Sequence, residues 1–169
     1  MAIEKGSMRE AINSVYQILV NDEELLRLLW YLPKRITGVD PLSPTIPNIK
    51  TMSNYWDIVE QRIMLVEKIN DLEETPLCRL YITAGRRRGV FSNYLLATQE
   101  IAINLYTHED YEVDMRSVWI SDRINELLAL QKDVNGVIGQ IDYVAGNPRV
   151  APIQYKRYEH IYEYTTGKK

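Results

Sequence analysis

The residues able to do chemistry are few and scattered. Cys78 is the single cysteine, and His108 and His160 are the two histidines. The densest charged segments are Gly85-Arg86-Arg87-Arg88-Gly89 and His108-Glu109-Asp110-Tyr111-Glu112-Val113-Asp114. A thiol–imidazole pair would make Cys78 a nucleophile. The alternation around it puts Cys78 on the apolar side of a strand, where a buried thiol is inert. Zinc takes about four Cys, His or acidic ligands at close spacing, and no such local cluster exists. The acidic run offers the carboxylates that hard cations use. It lacks D-x-D-x-D-G spacing and any E-x-K element, and it reads as a solvated lead-in to a helix N-terminus, where negative charge is favoured. The glycine-edged arginines follow a strand, but no Lys-Ser/Thr pair follows them, so they form no P-loop. A loop tip, a salt-bridging subunit contact and a phosphate contact are the readings left for Arg86, Arg87 and Arg88. No catalytic, metal-ligating or cofactor-binding set emerges, and the expectation is a binding or assembly protein rather than an enzyme.

The bulk numbers bound this further. A chain of 169 residues fits one domain, 1–169, long enough to bury a real core. Its 46% apolar and 25% charged residues exclude global disorder. A net charge of −3 argues against a dedicated DNA-binding protein, which carries a strongly basic face. A lone cysteine forbids an intrachain disulfide and suits a reducing cytoplasm. No signal-peptide core and no run near the roughly 18 apolar residues of a membrane span occurs, so a soluble protein without a membrane partner is expected. Twelve Tyr and three Trp against one Phe suit half-wet surfaces, as at interfaces or a core rim.

Periodicity supplies the elements. Ser7-Met8-Arg9-Glu10 reads as a capping box before a helical stripe of Ile12, Val15, Tyr16 and Leu19. Asp22, followed by Glu23 and Glu24, starts a second helix through Leu25 to Trp30, which Pro33 stops. Pro33, Pro41, Pro44 and Pro47 make 33–50 a stiff, extended arm or loop. Ser53 can cap a short helix through Val59, while Arg62 to Val66 can equally be a strand. Cys78, Leu80, Ile82 and Ala84 alternate with polar neighbours, as do Ile101, Ile103 and Leu105. The arginine segment is read as the turn after the first of these strands, with a long excursion before the second. Asp114 caps a helix over 114–131 with a stripe of Val118, Ile120, Ile124, Leu127 and Leu128. Asn135-Gly136 is a turn, Ile138–Tyr143 a strand, Gly146-Asn147-Pro148 a second turn, and Ile153–Tyr164 a last strand. That strand sets Tyr158, His160, Tyr162 and Tyr164 on one face. With Lys156 and Arg157 nearby, this face would be either packed against helix or neighbour, or a stacking platform for single-stranded nucleic acid. The fold expected is α+β: a mainly antiparallel sheet of about four strands, a helix packed across it, and additional N-terminal helices.

From Leu25 to Tyr164 the chain resembles the tail-terminator or tail-completion (head–tail joining) proteins of long-tailed bacteriophages. The carriers are Asp40-Pro41-Leu42, Arg62-Ile63 with Asp71-Leu72, Cys78-Arg79-Leu80-Tyr81-Ile82 and Arg86-Arg87. Ile101-Ala102-Ile103-Asn104 leading to His108, Ile120-Ser121-Asp122-Arg123-Ile124-Asn125-Glu126-Leu127 and Gly139 to Tyr143 complete them. The resemblance implies a virion structural subunit, assembled in the host cytoplasm, that forms a ring with copies of itself, often a hexamer, at the neck. Such rings terminate the tail tube and join it to the head connector; tube and connector proteins are the implied partners. DNA would pass the lumen without sequence-specific binding. The candidate subunit interface comprises Pro41, Pro44, Pro47, Arg86, Arg87, Arg88, Tyr158, Tyr162 and Tyr164. The competing class is a small nucleic-acid-binding module built on Arg86–Arg88 and the Tyr-rich last strand.

Overall fold

A computed structural model describes residues 7–129 and 140–167, without the side chains of 7, 93–95, 166 and 167. The Ser7 capping hydroxyl, the Asn135-Gly136 turn, residues 130–131 of the expected helix and the start of the Ile138 strand fall outside these bounds. Helix α1 spans Ser7–Val20. Asp22 caps α2, Glu23–Trp30, its carboxylate accepting the Leu25 N–H at 2.8 Å and satisfying one free N–H of the first turn. α2 buries Leu25, Leu26, Leu28 and Leu29, each burial contributing roughly 1.5–3 kcal/mol. So short a helix stays helical because α1, α4 and α6 surround it, not through propensity. α3 is one turn, Lys34–Thr37, closed by Gly38 at φ +79. A 3-10 turn at Ile49–Thr51 precedes α4, Tyr55–Arg62. There Asn54 rather than Ser53 takes the N-cap position.

The proline segment is a clamped loop, not a projecting arm. Arg27 donates to the carbonyls of Ser43 at 2.8 Å and Ile46 at 3.3 Å while its Nε holds Glu23 at 2.6 Å. Glu23 in turn accepts the Ile49 N–H at 3.0 Å, and the Tyr31 hydroxyl donates to the Pro47 carbonyl at 2.9 Å. A stretch poor in N–H groups leaves carbonyls to be satisfied, and α2 supplies the donors.

Five strands lie in the order β1-β2-β3-β5-β4. β1 is Ile63–Met64, parallel to β2, Cys78–Val90. β3 is Asn93–His108, β4 is Asp142–Arg149, β5 is Tyr155–Gly167, and these pair antiparallel. The fold is thus α+β with a mostly antiparallel sheet. Both alternatives for 53–66 occur in series, α4 running straight into β1. Two turn readings are corrected. The arginine segment lies inside β2, which pairs on to a two-residue turn at Phe91-Ser92, so no long excursion separates the strands. Gly146-Asn147-Pro148 lies inside β4. An edge strand needs hydrogen bonds on one side only, which tolerates Pro148. A Cβ at Gly146 would sit 2.7 Å from a Tyr158 ring carbon, so glycine there admits the aromatic packing.

Helices cover one sheet face, burying Leu80, Ile82, Ile101, Ile103, Leu105 and Tyr162 with Ile120, Ile124 and Leu128 of α6, Arg116–Leu128. Val118 faces solvent, outside the expected stripe. Asp114 does not cap α6. Met115, at φ +58, takes that position, and Glu112, last residue of the one-turn α5 (Glu109–Glu112), accepts the Ser117 N–H at 2.7 Å. Asp114 pairs with the buried Arg116, whose Nη1 donates to the carbonyls of Leu28 at 2.5 Å and Tyr31 at 2.8 Å. One guanidinium therefore satisfies free carbonyls at the end of α2 and ties α6 to it. On the opposite face, Arg79 grips Asp71 through two bonds of 2.8 and 2.9 Å and the Lys68 carbonyl at 3.1 Å. This pins the loop that covers Tyr81, Tyr106 and Tyr155.

Candidate assembly surface

The distal half of the β2–β3 hairpin leaves the core, and every residue from Ala84 to Gly89 is exposed. Ala84 pairs with Ile101 and Arg87 with Gln99, so Gly85 and Arg86 together oppose Glu100 in a bulge that bends the strand and re-aims its side chains. Gln99 Nε2 donates to the Glu100 carbonyl at 2.8 Å and the Gly85 carbonyl at 3.4 Å, and Glu100 accepts the Arg86 N–H at 3.2 Å. A Cβ at Gly85 would lie 2.7 Å from that of Glu100, so the bulge needs glycine. Arg88 is held by Glu163 at 3.0 Å and Glu100 at 3.6 Å. Arg86 and Arg87 have no ion pair among the described residues. Past them, Phe91 stands fully exposed at the turn.

The opposite end of the sheet carries the β4–β5 turn. Gln154 at φ +69 and a Tyr155 N–H donated to the Pro152 carbonyl at 3.1 Å shape it, leaving Val150 and Ile153 91% and 87% exposed. With Phe91 they are the three most exposed large apolar side chains among the described residues. The Glu109 N–H donates to the Gln154 carbonyl at 2.9 Å, and the Tyr155 hydroxyl to the Thr75 carbonyl at 2.9 Å. Those bonds bring Glu73, Glu74, Glu109 and Asp110 beside this turn. All four are exposed and lack a Lys or Arg ion partner among the described residues; nearby Lys156 is engaged by Glu112 at 2.9 Å.

The other expected interface residues distribute unevenly. Pro44 and Pro47 are exposed on the clamped loop, whereas Pro41 is buried. Tyr158 keeps partial exposure beside His160, with ring centroids 4.9 Å apart. Tyr162 and Tyr164 are interior residues. Tyr162 donates to Asn125, and His160 meets the Ser121 hydroxyl at 2.8 Å. Placing Tyr162 and Tyr164 at a subunit surface is therefore corrected: helices cover their part of the face, and of the three tyrosines only Tyr158 stays partly exposed. Burial without a counter-charge pushes His160 down to about 4. Cys78 is fully buried and its thiol is pushed up to about 12, so it is protonated and inert near neutral pH. His108 accepts the Asp110 N–H at 3.1 Å as the cap of α5. Among the described residues no group of three or more His, Cys, Asp or Glu gathers as a metal site, and no helix is long and apolar enough to cross a membrane. Phe91, Val150 and Ile153 escaped the sequence reading, although a sole phenylalanine in a polar segment and apolar residues flanking Pro152 were visible signals.

Fold and surface define a class: a helix-backed antiparallel sheet with two unlike, exposed ends. The chain belongs to the YomW family, whose model matches residues 22–164. It is similar to the SPbeta prophage-derived protein YomW of Bacillus subtilis strain 168, at 31% identity over 94% of this chain and 97% of that protein. A solved chain from the virion of a native gene transfer agent particle superposes with a TM-score of 0.46 at 11% identity, covering 70% of this chain and 88% of its own.

Proposed function

We propose that this chain is a non-catalytic virion subunit of a tailed phage. It forms a ring with copies of itself at the top of the tail, terminates the tube and joins it to the head connector. Kinship with a prophage-derived protein supports a phage origin. The observation that carries the assembly reading is the pair of exposed, chemically unlike ends on one sheet, because heterologous contacts that close a ring need two different faces per subunit. In this arrangement the hairpin arginines serve a protein contact, and the lumen past which DNA slides is near-neutral or acidic. Negative-stain microscopy of phage particles lacking the gene tests the role. Filled heads separated from tails, or tails of irregular length, are expected; particles of normal form and infectivity would dismiss it. A gel-shift titration with salt addresses the nucleic-acid alternative, which requires steeply salt-dependent binding.

A further inference from the structure

Thirteen residues of β2 at roughly 3.4 Å each separate the two ends of the sheet by about 40 Å. The hairpin end is basic and apolar: Arg86 and Arg87, with no ion pair among the described residues, lie on the strand that leads to the exposed Phe91 at its tip. The other end is acidic and apolar: Val150 and Ile153 are exposed on a turn whose Gln154 carbonyl accepts the Glu109 N–H, with Asp110 next along. Glu73 and Glu74 precede the Thr75 that Tyr155 holds, while the basic Arg149 and Lys156 there are paired with Glu159 and Glu112. Aromatic and arginine anchors are the residues that dominate protein interfaces, and exposed cations facing exposed carboxylates set register and orientation. We infer that copies of this chain associate head to tail, the Phe91 hairpin tip of one seating on the Val150–Ile153 turn of the next, with Arg86 and Arg87 against its acidic rim. The occupant is a second copy because both complementary halves belong to the same chain. Neither half is self-complementary: two tips would oppose arginine to arginine, and two acidic ends carboxylate to carboxylate. This inference deepens the ring reading and rests on it, since it names the contact by which the ring would close.

Cysteine pairing tests it directly, because the native Cys78 is buried and silent. The Phe91→Cys/Ile153→Cys double variant is expected to give a ladder of disulfide-linked oligomers on mild oxidation. A Phe91→Cys/Trp56→Cys control, with both positions exposed, should cross-link at least tenfold less. Equimolar Phe91→Cys and Ile153→Cys single variants should give a dimer that grows no further. Arg86→Glu/Arg87→Glu should cut cross-linking at least tenfold, and adding Glu109→Lys/Asp110→Lys should restore it. Cross-linking no faster than the Trp56 control overturns the head-to-tail contact. In that event, a ring-sized mass by light scattering for wild-type protein would leave the ring reading standing. A wild-type monomer at high concentration would remove both.

Discussion

Arginine does opposite work in the interior and at the hairpin tip. Arg27, Arg79 and Arg116 are buried, and each is bonded to a carboxylate and to backbone carbonyls. Their charge is consumed in holding loops to the helices and the sheet, and none of it reaches the surface. Arg86 and Arg87 project from a bulged strand with no carboxylate in ion-pair range among the described residues. A net charge of −3 therefore conceals two kinds of arginine, one spent inside and one unspent at the surface. Interior cations neutralise acidic residues beside the segments they hold, whereas Arg86 and Arg87 keep their charge at the hairpin and Glu109 and Asp110 keep theirs exposed beside the β4–β5 turn. Composition cannot reveal this, because it counts the two kinds of arginine alike.

The contrast can be broken in four places. Arg116→Met should destabilise most, by about 3–5 kcal/mol, since it leaves Asp114 and two buried carbonyls without their donor; urea denaturation measures this, and a loss under about 1 kcal/mol would deny Arg116 its anchoring role. His160 comes next. Its ordinary value is 6.5 and its folded value about 4, so between these the unfolded chain binds more protons. Stability is then full above about 6.5 and falls as pH drops towards 4, by about 3 kcal/mol from this residue. His160→Gln should flatten that slope, and an unchanged slope would assign the acid sensitivity elsewhere. Arg62 sharpens the comparison from the other side. It is buried against Trp30 at 4.8 Å with no carboxylate in ion-pair range among the described residues, and desolvation lowers its pKa. Arg62→Met should therefore stay within about 1 kcal/mol of wild type. Arg86→Glu/Arg87→Glu should alter stability least, by under about 0.5 kcal/mol, while abolishing association. A large stability loss would mean the tip is part of the fold.

Much of the fold was legible locally. Asp22 announced a helix through its own short carboxylate, and Cys78, Leu80 and Ile82 announced a strand through a period that one buried face imposes. The division of the last strand into a Tyr158–Tyr164 face and an Arg157–Glu163 face also holds. Its meaning was illegible, because alternation identifies two faces without saying which one a helix covers. Both turn readings failed for one reason. Glycine and proline mark places where the chain can bend, but Gly85 serves a bulge and Gly146 serves ring packing within paired strands.

By itself the sequence determined the class of fold, the inert cysteine and the absence of any local catalytic motif, since these depend on periodicity and on which residue types stand near one another in the chain. Only the tertiary structure decided which charges are free. Whether an arginine is spent depends on carbonyls and carboxylates brought to it from distant segments, as Leu28 and Tyr31 are brought to Arg116. The same pairing that joins β2, β3 and β5 carries Phe91 and Val150 to opposite ends of one sheet, and so creates the two unlike surfaces on which assembly would rest.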